Sequence, residues 1–355
     1  VSKRILFSLA LILAGCGTAP PFTVSTLLGR GLAQTAGETG TPFRGAFHAH
    51  TRYSHDSAGS LKDVVRAARR AGLDFVVITD HNNLRAKSDP EVPKLPSKPL
   101  LIFGTEISTG AGHLIALGIE REILPPIGAQ EAIDRIREMG GFAILAHPVC
   151  EKGAWREWGV KGFHAIEIYS YSCDFYGRNK AKLTFELLFL PPPLLAERVF
   201  REPRETLNRW DSLLQKEPVA AVGSVDAHVT LPFLGFHLMR YSLSFEAVTL
   251  YVFADSLSER GVIEAIGSGR SYIAFETRGL AKGFSFQAVR EEQKIALVAT
   301  LPQTAEIRLF RNGKIIETAR AKTLRITATE PGNYRVEIFL SGKLWIVSNP
   351  ILIEL

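Results

Sequence analysis

The chain has 355 residues, 46% hydrophobic and 22% charged, with 42 basic against 36 acidic side chains and a formal charge of +6. That composition is too apolar for a disordered chain, and the length allows a barrel-sized unit of about 250 residues beside a smaller one. The basic excess forms no long run, which argues against a protein built to coat nucleic acid.

The N-terminus reads as a targeting segment. Lys3 and Arg4 supply its positive start, and the apolar stretch Ile5 to Ala14 is too short to cross a bilayer. It ends in Leu13-Ala14-Gly15-Cys16, which is similar to the lipobox of bacterial lipoproteins. The expectation is a signal peptide over 1–15, lipidation at Cys16, and a Thr-, Gly-, Ala- and Pro-containing tether over 16–42. This places the mature protein in the cell envelope as an exported bacterial lipoprotein, membrane-attached through its N-terminal lipid. Gly17 gives no evident inner-membrane retention signal, which favours the outer membrane or cell surface.

From residue 43 to about 279, strands and helices alternate, the pattern of an α/β unit with parallel strands. Ser60 and Asp63 have the spacing of a capping box, Leu61, Val64, Val65 and Ala68 have helical periodicity, and Gly72 stops the helix. Further helices are expected from about Ala129 to Met139, over 203–216 and over 256–267. Residues 181–198 are apolar but broken by Pro191-Pro192-Pro193, so a packed helix pair is expected rather than a membrane span. After Gly279 come short alternating runs, with Asn312-Gly313 as a tight-hairpin signal. Residues 280–355 therefore predict a small C-terminal β-sandwich. Cys150 and Cys173 are expected as buried free thiols, since sequence alone cannot bring their Cα atoms within bonding range.

Residues that bind metals recur at the ends of the apolar runs. His48 and His50 stand two apart on a strand, so their rings face one way. Asp80 and His81 close Phe75–Thr79, and Glu106 follows Leu100–Gly104. His113 opens Leu114–Leu117, His147 closes Phe142–Ala146, Glu167 follows Ala165-Ile166, and Asp226 and His228 follow Val219–Gly223. The rim at the C-terminal ends of barrel strands is where such folds carry chemistry. All nine histidines fall between residues 48 and 237, so the C-terminal strands are expected to contribute no metal chemistry. Imidazole and carboxylate together suit Zn, Mn or Fe. Glu167 reads equally as a ligand-orienting or a core-edge carboxylate, and His164 and His237 as ordinary polar residues. Arg52, beside the ligands, and Arg270, after Gly267-Ser268-Gly269, are candidate phosphate clamps. No Walker or dinucleotide motif is present.

His48-Ala49-His50-Thr51, Ser54-His55-Asp56, Thr79-Asp80-His81, Gly104-Thr105-Glu106-Ile107-Ser108, Ala146-His147-Pro148 and Asp226-Ala227-His228 together resemble the motifs of the PHP (polymerase and histidinol phosphatase) metal-dependent hydrolases. Resemblance covers roughly residues 43–279. The C-terminal strands, with Tyr334-Arg335-Val336-Glu337 and Ser348-Asn349-Pro350, resemble the carbaryl-hydrolase-like (CehA/McbA) branch. The resemblance implies a distorted seven-stranded β/α barrel, TIM-like, holding two to three divalent transition metals. It further implies one site from His48, His50, Glu106 and Asp226. Glu106 would bridge to a second site at His113 and His147, and His81 and His228 would form a third with Asp56 or His55. Asp80 would orient a ligand. The sequence departs from the family pattern in two places: Ser54-His55-Asp56 offers two candidate ligands for one role, and Gly223-Ser224-Val225-Asp226 carries one residue more than usual.

The function expected is a phosphoesterase using metal-activated hydroxide on a small, phosphorylated substrate. Alternatives are a carbamate or carboxylic ester hydrolase, a 5′-3′ exonuclease or nucleotide phosphatase, and a non-enzymatic metal- or ligand-binding lipoprotein. Nucleic acid is a less favoured partner without a concentrated basic stripe, and no protein partner is read from the sequence.

Overall fold

The apolar runs that end in histidine or carboxylate are strands. The protein is described by a computed structural model over residues 42–151, 153–230, 232–233, 236–237, 239–291 and 294–354. The expected signal peptide, Cys16 and nearly all of the tether lie outside the described residues. The first seven strands are β1 (Phe43–Ala49), β2 (Phe75–His81), β3 (Leu100–Thr109), β4 (Gly112–Leu117), β5 (Phe142–Leu145), β6 (Ala165–Ser170) and β7 (Ala220–Ser224). Pairs β1–β2, β2–β3, β5–β6 and β6–β7 are parallel. β4 runs antiparallel to both β3 and β5. Only Gly110 and Ala111 separate β3 from β4, too few for the crossover a parallel pair requires. This reversal explains why His113 begins its strand while His48, His81, His147 and Asp226 stand at or just past the ends of theirs.

The two ends of this run of strands meet. Val225 N–H donates to Phe47 O, Ala227 N–H to His48 O and His50 N–H to Ala227 O, at 3.0, 3.0 and 2.9 Å. The segment after β7 thus lies beside the C-terminal end of β1. Helices cover the run: α1 (Leu61–Arg70), α2 (Ala129–Glu138), α3 (Tyr171–Tyr176), α4 (Lys180–Phe189), α5 (Pro192–Val199) and α6 (Arg204–Leu214). In α1 both halves of the Ser60–Asp63 capping box are made, and Leu61, Val64, Val65 and Ala68 are buried. The apolar stretch 181–198 is a helix pair, with Pro192 at the first position of α5, where its missing N–H costs nothing. Phe185, Leu188, Phe189 and Leu194 of this pair are exposed. Among the described residues no helix is long and apolar enough to cross a membrane.

Downstream come β8 (Pro232–Phe233), β9 (Phe236–His237), α7 (Tyr241–Ser244), β10 (Thr249–Val252), α8 (Glu259–Gly267) and β11 (Ser271–Ala274). β10 pairs antiparallel with β1, and β11 with β10. The C-terminal strands are β12 (Ser285–Glu291), β13 (Lys294–Arg311), β14 (Lys314–Ala328), β15 (Gly332–Leu340), β16 (Lys343–Ser348) and β17 (Ile351–Ile353). Asn312 and Gly313 turn β13 into β14 with φ of 50° and 78°, the positive values that a tight hairpin needs. These strands do not stand apart as a separate sheet. β16 pairs with β11, so the sheet runs on from the histidine-bearing half into the C-terminal half. The shared boundary shows in the packing: Tyr251 and Tyr272 of β10 and β11 join Leu309, Val336, Ile338 and Trp345 in one apolar cluster.

Candidate metal centre

The backbone bends where the donors converge. His48 has φ of 71°, and the pairing of β1 with β2 slips between Ala46 and Ala49. His147 and Asp226 also have positive φ, 27° and 45°. Such values are uncommon for residues with a Cβ and concentrate where the surroundings impose them for function. Hydrogen bonding of β1 to the segment after β7 holds His48 and Asp226 in place.

Donor atoms gather about three points. His48 Nε2 and His50 Nε2 are 2.9 Å apart. Glu106 Oε2 lies 3.3 and 3.2 Å from these two nitrogens, and Asp226 Oδ1 lies 3.6 and 3.4 Å from them. The other oxygen of the same carboxylate, Glu106 Oε1, is 2.8 Å from both His113 Nδ1 and His147 Nε2. Asp56 Oδ2 is 3.1 Å from His81 Nε2 and 3.3 Å from His228 Nε2. His81 Nδ1 in turn is 3.2 Å from Glu106 Oε2, so His81 links the third group to the first. His55 is exposed and lays its ring near that of His81, 4.9 Å between centroids, while Asp56 supplies the facing oxygen.

Buried partners fix which ring nitrogen is free. Glu167 Oε1 accepts from His48 Nδ1 at 2.7 Å, and its Oε2 accepts the His147 N–H at 2.8 Å. Ser54 Oγ accepts from His50 Nδ1 at 2.9 Å and donates to Asp80 Oδ1 at 2.8 Å. Asp80 also accepts from Thr51 N–H and Thr51 Oγ1. Asp80 therefore touches no facing donor; it clamps the loop after β1. His228 Nδ1 donates to the Asp226 carbonyl at 2.9 Å. In each case Nδ1 carries the proton and Nε2 is left to accept a cation. Glu167 reads two ways in the sequence, and Ser54 and Thr51 enter there only as members of the quoted motifs, without a role; their roles depend on contacts across strands.

The electrostatics couple the carboxylates to the rings. Glu106 is buried and held well below the usual carboxylate range: burial pushes it up, but His48, His113 and His147 outweigh this. Asp226 and Asp56 are likewise lowered against their burial by surrounding imidazoles. Burial pulls the His50 ring down, yet Asp226 and Glu106 hold it up at about 9. Asp56 Oδ1, His81 Nδ1 and His147 Nδ1 are buried without any hydrogen-bond partner. Imidazoles and carboxylates facing one another at these separations fit divalent transition metals that would displace the ring protons, and the mixed nitrogen–oxygen donor set suits Zn, Mn or Fe.

The cluster opens into a cavity of about 320 Å³ lined by Asp56, His81, Glu106, His113, His147, Asp226 and His228 on its floor. Ser172, Tyr176 and Thr230 add hydroxyls to its wall, with Tyr176 Oη and Thr230 Oγ1 3.0 Å apart. Cys150 and Cys173 also line it, joined as a disulfide with Cα atoms 5.5 Å apart, which corrects the expectation of free thiols. Packing of α3 against the turn after β5, invisible in the sequence, brings them together. Among the described residues no lysine or arginine lines this cavity. Arg52 turns to Asp89 at 2.8 Å and lies over the Tyr53 ring. Arg270 precedes Ser271, which aligns with Val252 and through it with Phe43, at the end of β1 opposite His48. Neither is brought to the donor cluster. His164 accepts from Ala143 N–H as an ordinary half-buried polar group, and the side chain of His237 lies outside the described set.

Residues 46–175 match the family model of the PHP domain. That span contains His48 through His147 but not Asp226 or His228. Two uncharacterized proteins of Methanocaldococcus jannaschii are similar in sequence. One is 31% identical over 111 residues, 28% of this chain and 65% of that protein; the other is 28% identical over 117 residues, 30% of this chain and 45% of that protein. The chain thus spans less than two thirds of the length of either relative. Among solved structures, a two-domain protein from Bacteroides vulgatus containing a predicted PHP-like metal-dependent phosphoesterase is 18% identical, with 95% of this chain and 100% of that chain covered and a TM-score of 0.47.

Proposed function

We propose that this protein is a metal-dependent hydrolase acting as a phosphoesterase. The observation that carries the reading is the division of Glu106, one oxygen toward His48 and His50, the other toward His113 and His147. A single buried carboxylate shared between two sets of imidazoles suits paired cations, with His81, His228 and Asp56 able to hold a third. Such cations supply the acidity that makes water a nucleophile at neutral pH and the positive charge that stabilises both attacking and leaving oxygens. The protein residues do the rest. Glu167 and the Asp80–Ser54 pair lock the His48 and His50 rings, while Tyr176, Thr230 and Ser172 offer hydroxyls to the substrate at the cavity wall. The match to the PHP domain over residues 46–175 supports the assignment, and strands β1 to β7 are read as its distorted seven-stranded barrel.

The cavity favours one second reading. With no lysine or arginine among its described lining residues, it is equally suited to a neutral carbamate or carboxylic ester. A third arm of the proposal concerns location: Leu13-Ala14-Gly15-Cys16 supports an envelope lipoprotein attached to the membrane by acylated Cys16. Metal analysis of the reconstituted full chain, followed by a screen of phosphate monoesters, phosphodiesters and carbamates, tests the reading. Two to three equivalents of Mn, Zn or Fe and turnover of a phosphate ester are expected. Trace metal alone would sink it, and faster carbamate turnover would move the conclusion to the second reading. Mass spectrometry of the mature N-terminus checks the anchor, which an unmodified N-terminus other than Cys16 would refute.

A further inference from the structure

The disulfide in the cavity wall is placed where a different chemistry is available. Cys150 follows His147 by three residues, in the turn where Cys150 N–H donates to the His147 carbonyl at 3.1 Å. Cys173 arrives from α3. One donor atom from each of His147, Cys150 and Cys173 lies within 4.8 Å of the others. The ring of His147 explains the third member. Its Nε2 is committed to Glu106 at 2.8 Å, but Nδ1 is buried with no partner, in a residue only 8% exposed. Nδ1 of His48, His50 and His228 each meets a carboxylate, a hydroxyl or a carbonyl, whereas that of His147, like that of His81, has no hydrogen-bond partner. A buried ring nitrogen left without a partner costs free energy unless something occupies it.

We propose that, once the disulfide is reduced, Cys150, Cys173 and His147 Nδ1 bind one further thiophilic divalent cation, distinct from those held by the carboxylate–imidazole cluster. Two thiolates and one imidazole form a recurrent zinc donor set, leaving a fourth position that here faces the cavity, where Glu151 also lines the wall. Zinc–sulfur bonds of about 2.3 Å place two thiolates roughly 3.8 Å apart in a tetrahedral arrangement, within the span that the three donors already share. The chemistry balances with a dithiol as reductant. Two electrons pass to the Cys150–Cys173 bond, which breaks to two thiols as the reductant closes its own disulfide. The cation then displaces one proton from each thiol and one from His147 Nδ1, and these pass to water. His147 would stand between the two kinds of site, one nitrogen toward each, so that the redox state of the wall is felt by Glu106.

Cadmium alone is the probe, added to the full chain before and after reduction. The oxidised chain, its sulfurs blocked by each other, is a control that needs no substitution. Reduction is expected to add one cadmium equivalent per chain and a sulfur-to-cadmium charge-transfer absorption, both lost in Cys173→Ser and in Cys150→Ala. Unchanged stoichiometry on reduction, with no such absorption, would overturn the proposal and leave a purely structural cross-link. An absorption that survives in both variants would overturn it as well. Manganese content of the oxidised chain, measured in parallel, reports on the carboxylate–imidazole cluster, so failure of one reading is distinguishable from failure of the other.

Discussion

Two buried ionic clusters lie in this molecule, and they are built on opposite principles. At the junction of α6 with the C-terminal strands, Arg335 makes two bonds to Asp211, at 2.7 and 2.6 Å, and one to Glu337 at 2.7 Å. Arg204 reaches the other oxygen of Glu337 at 2.5 Å. Two cations meet two anions and each carboxylate oxygen is matched, so the cluster is closed. Around Glu106, by contrast, carboxylates and imidazoles face inward with orphaned atoms, and three of the contributing residues have positive φ. A closed cluster holds elements together; an open and strained one awaits a ligand.

Substitutions should separate the two. The largest effect is expected at the open cluster: His50→Ala should abolish metal binding at its site and lower turnover by a hundredfold or more, on the order of other essential electrostatic groups, measured by elemental analysis and steady-state kinetics. At the closed cluster, Arg335→Ala leaves Asp211 with unmatched buried charge and Glu337 with Arg204 alone. It should cost about 3–5 kcal/mol of folding stability by denaturant titration, with metal content per folded chain unchanged. Glu167→Gln lies between the two. It should weaken metal binding by about 10–100-fold, read by competition with a chelator, while the fold persists. Equal metal loss in Arg335→Ala and Glu167→Gln would erase the distinction.

Acidity sharpens it further. In the metal-free protein, His50 is held up at about 9 from 6.5, so its stabilising contribution is complete below 6.5 and lost as pH rises through about 9. Glu106 and Asp226 are held below 4.5 and 3.8, so their contribution is present above those values and lost as pH falls below them. Melting of the metal-free protein should therefore be highest between about pH 4.5 and 6.5 and fall above about 9. Metal affinity should move the other way across the upper range, since cations displace the histidine protons. Titration calorimetry in buffers of different ionisation heat would count them. The smallest effect is expected for Arg52→Ala. Its side chain is half exposed and bound to Asp89, and turnover should stay within about twofold. A tenfold loss specific to phosphate esters would return Arg52 to the substrate's side.

Most of the clustered side chains could be read from sequence because they end or begin an apolar run, and strand alternation aims His48 and His50 alike; Asp56 stood out only through the motif resemblance, beside His55. Helices α1, α2, α6 and α8 were equally readable, their caps and periodicity being local. What could not be read depends on contacts between distant segments. The reversal of β4, the bond from Glu167 to His48, the Cys150–Cys173 pairing and the distance of Arg270 from the cluster all follow from sheet order and register. So does the join of β16 to β11, which carries the sheet on into the C-terminal strands.

Apart from Glu106 on β3, the donors of the first site come from the end of β1 and from the segment after β7, which are joined by the bonds of Phe47, His48 and His50 to Val225 and Ala227. A chain emerging from synthesis has His48 and His50 long before Asp226 exists, and early metal capture would find an incomplete set. Tight binding would thus wait until the last strand of the run has docked, which would make a bound metal a reporter of completed folding. Occupancy then favours the finished state by mass action, with a melting temperature that climbs with free metal concentration.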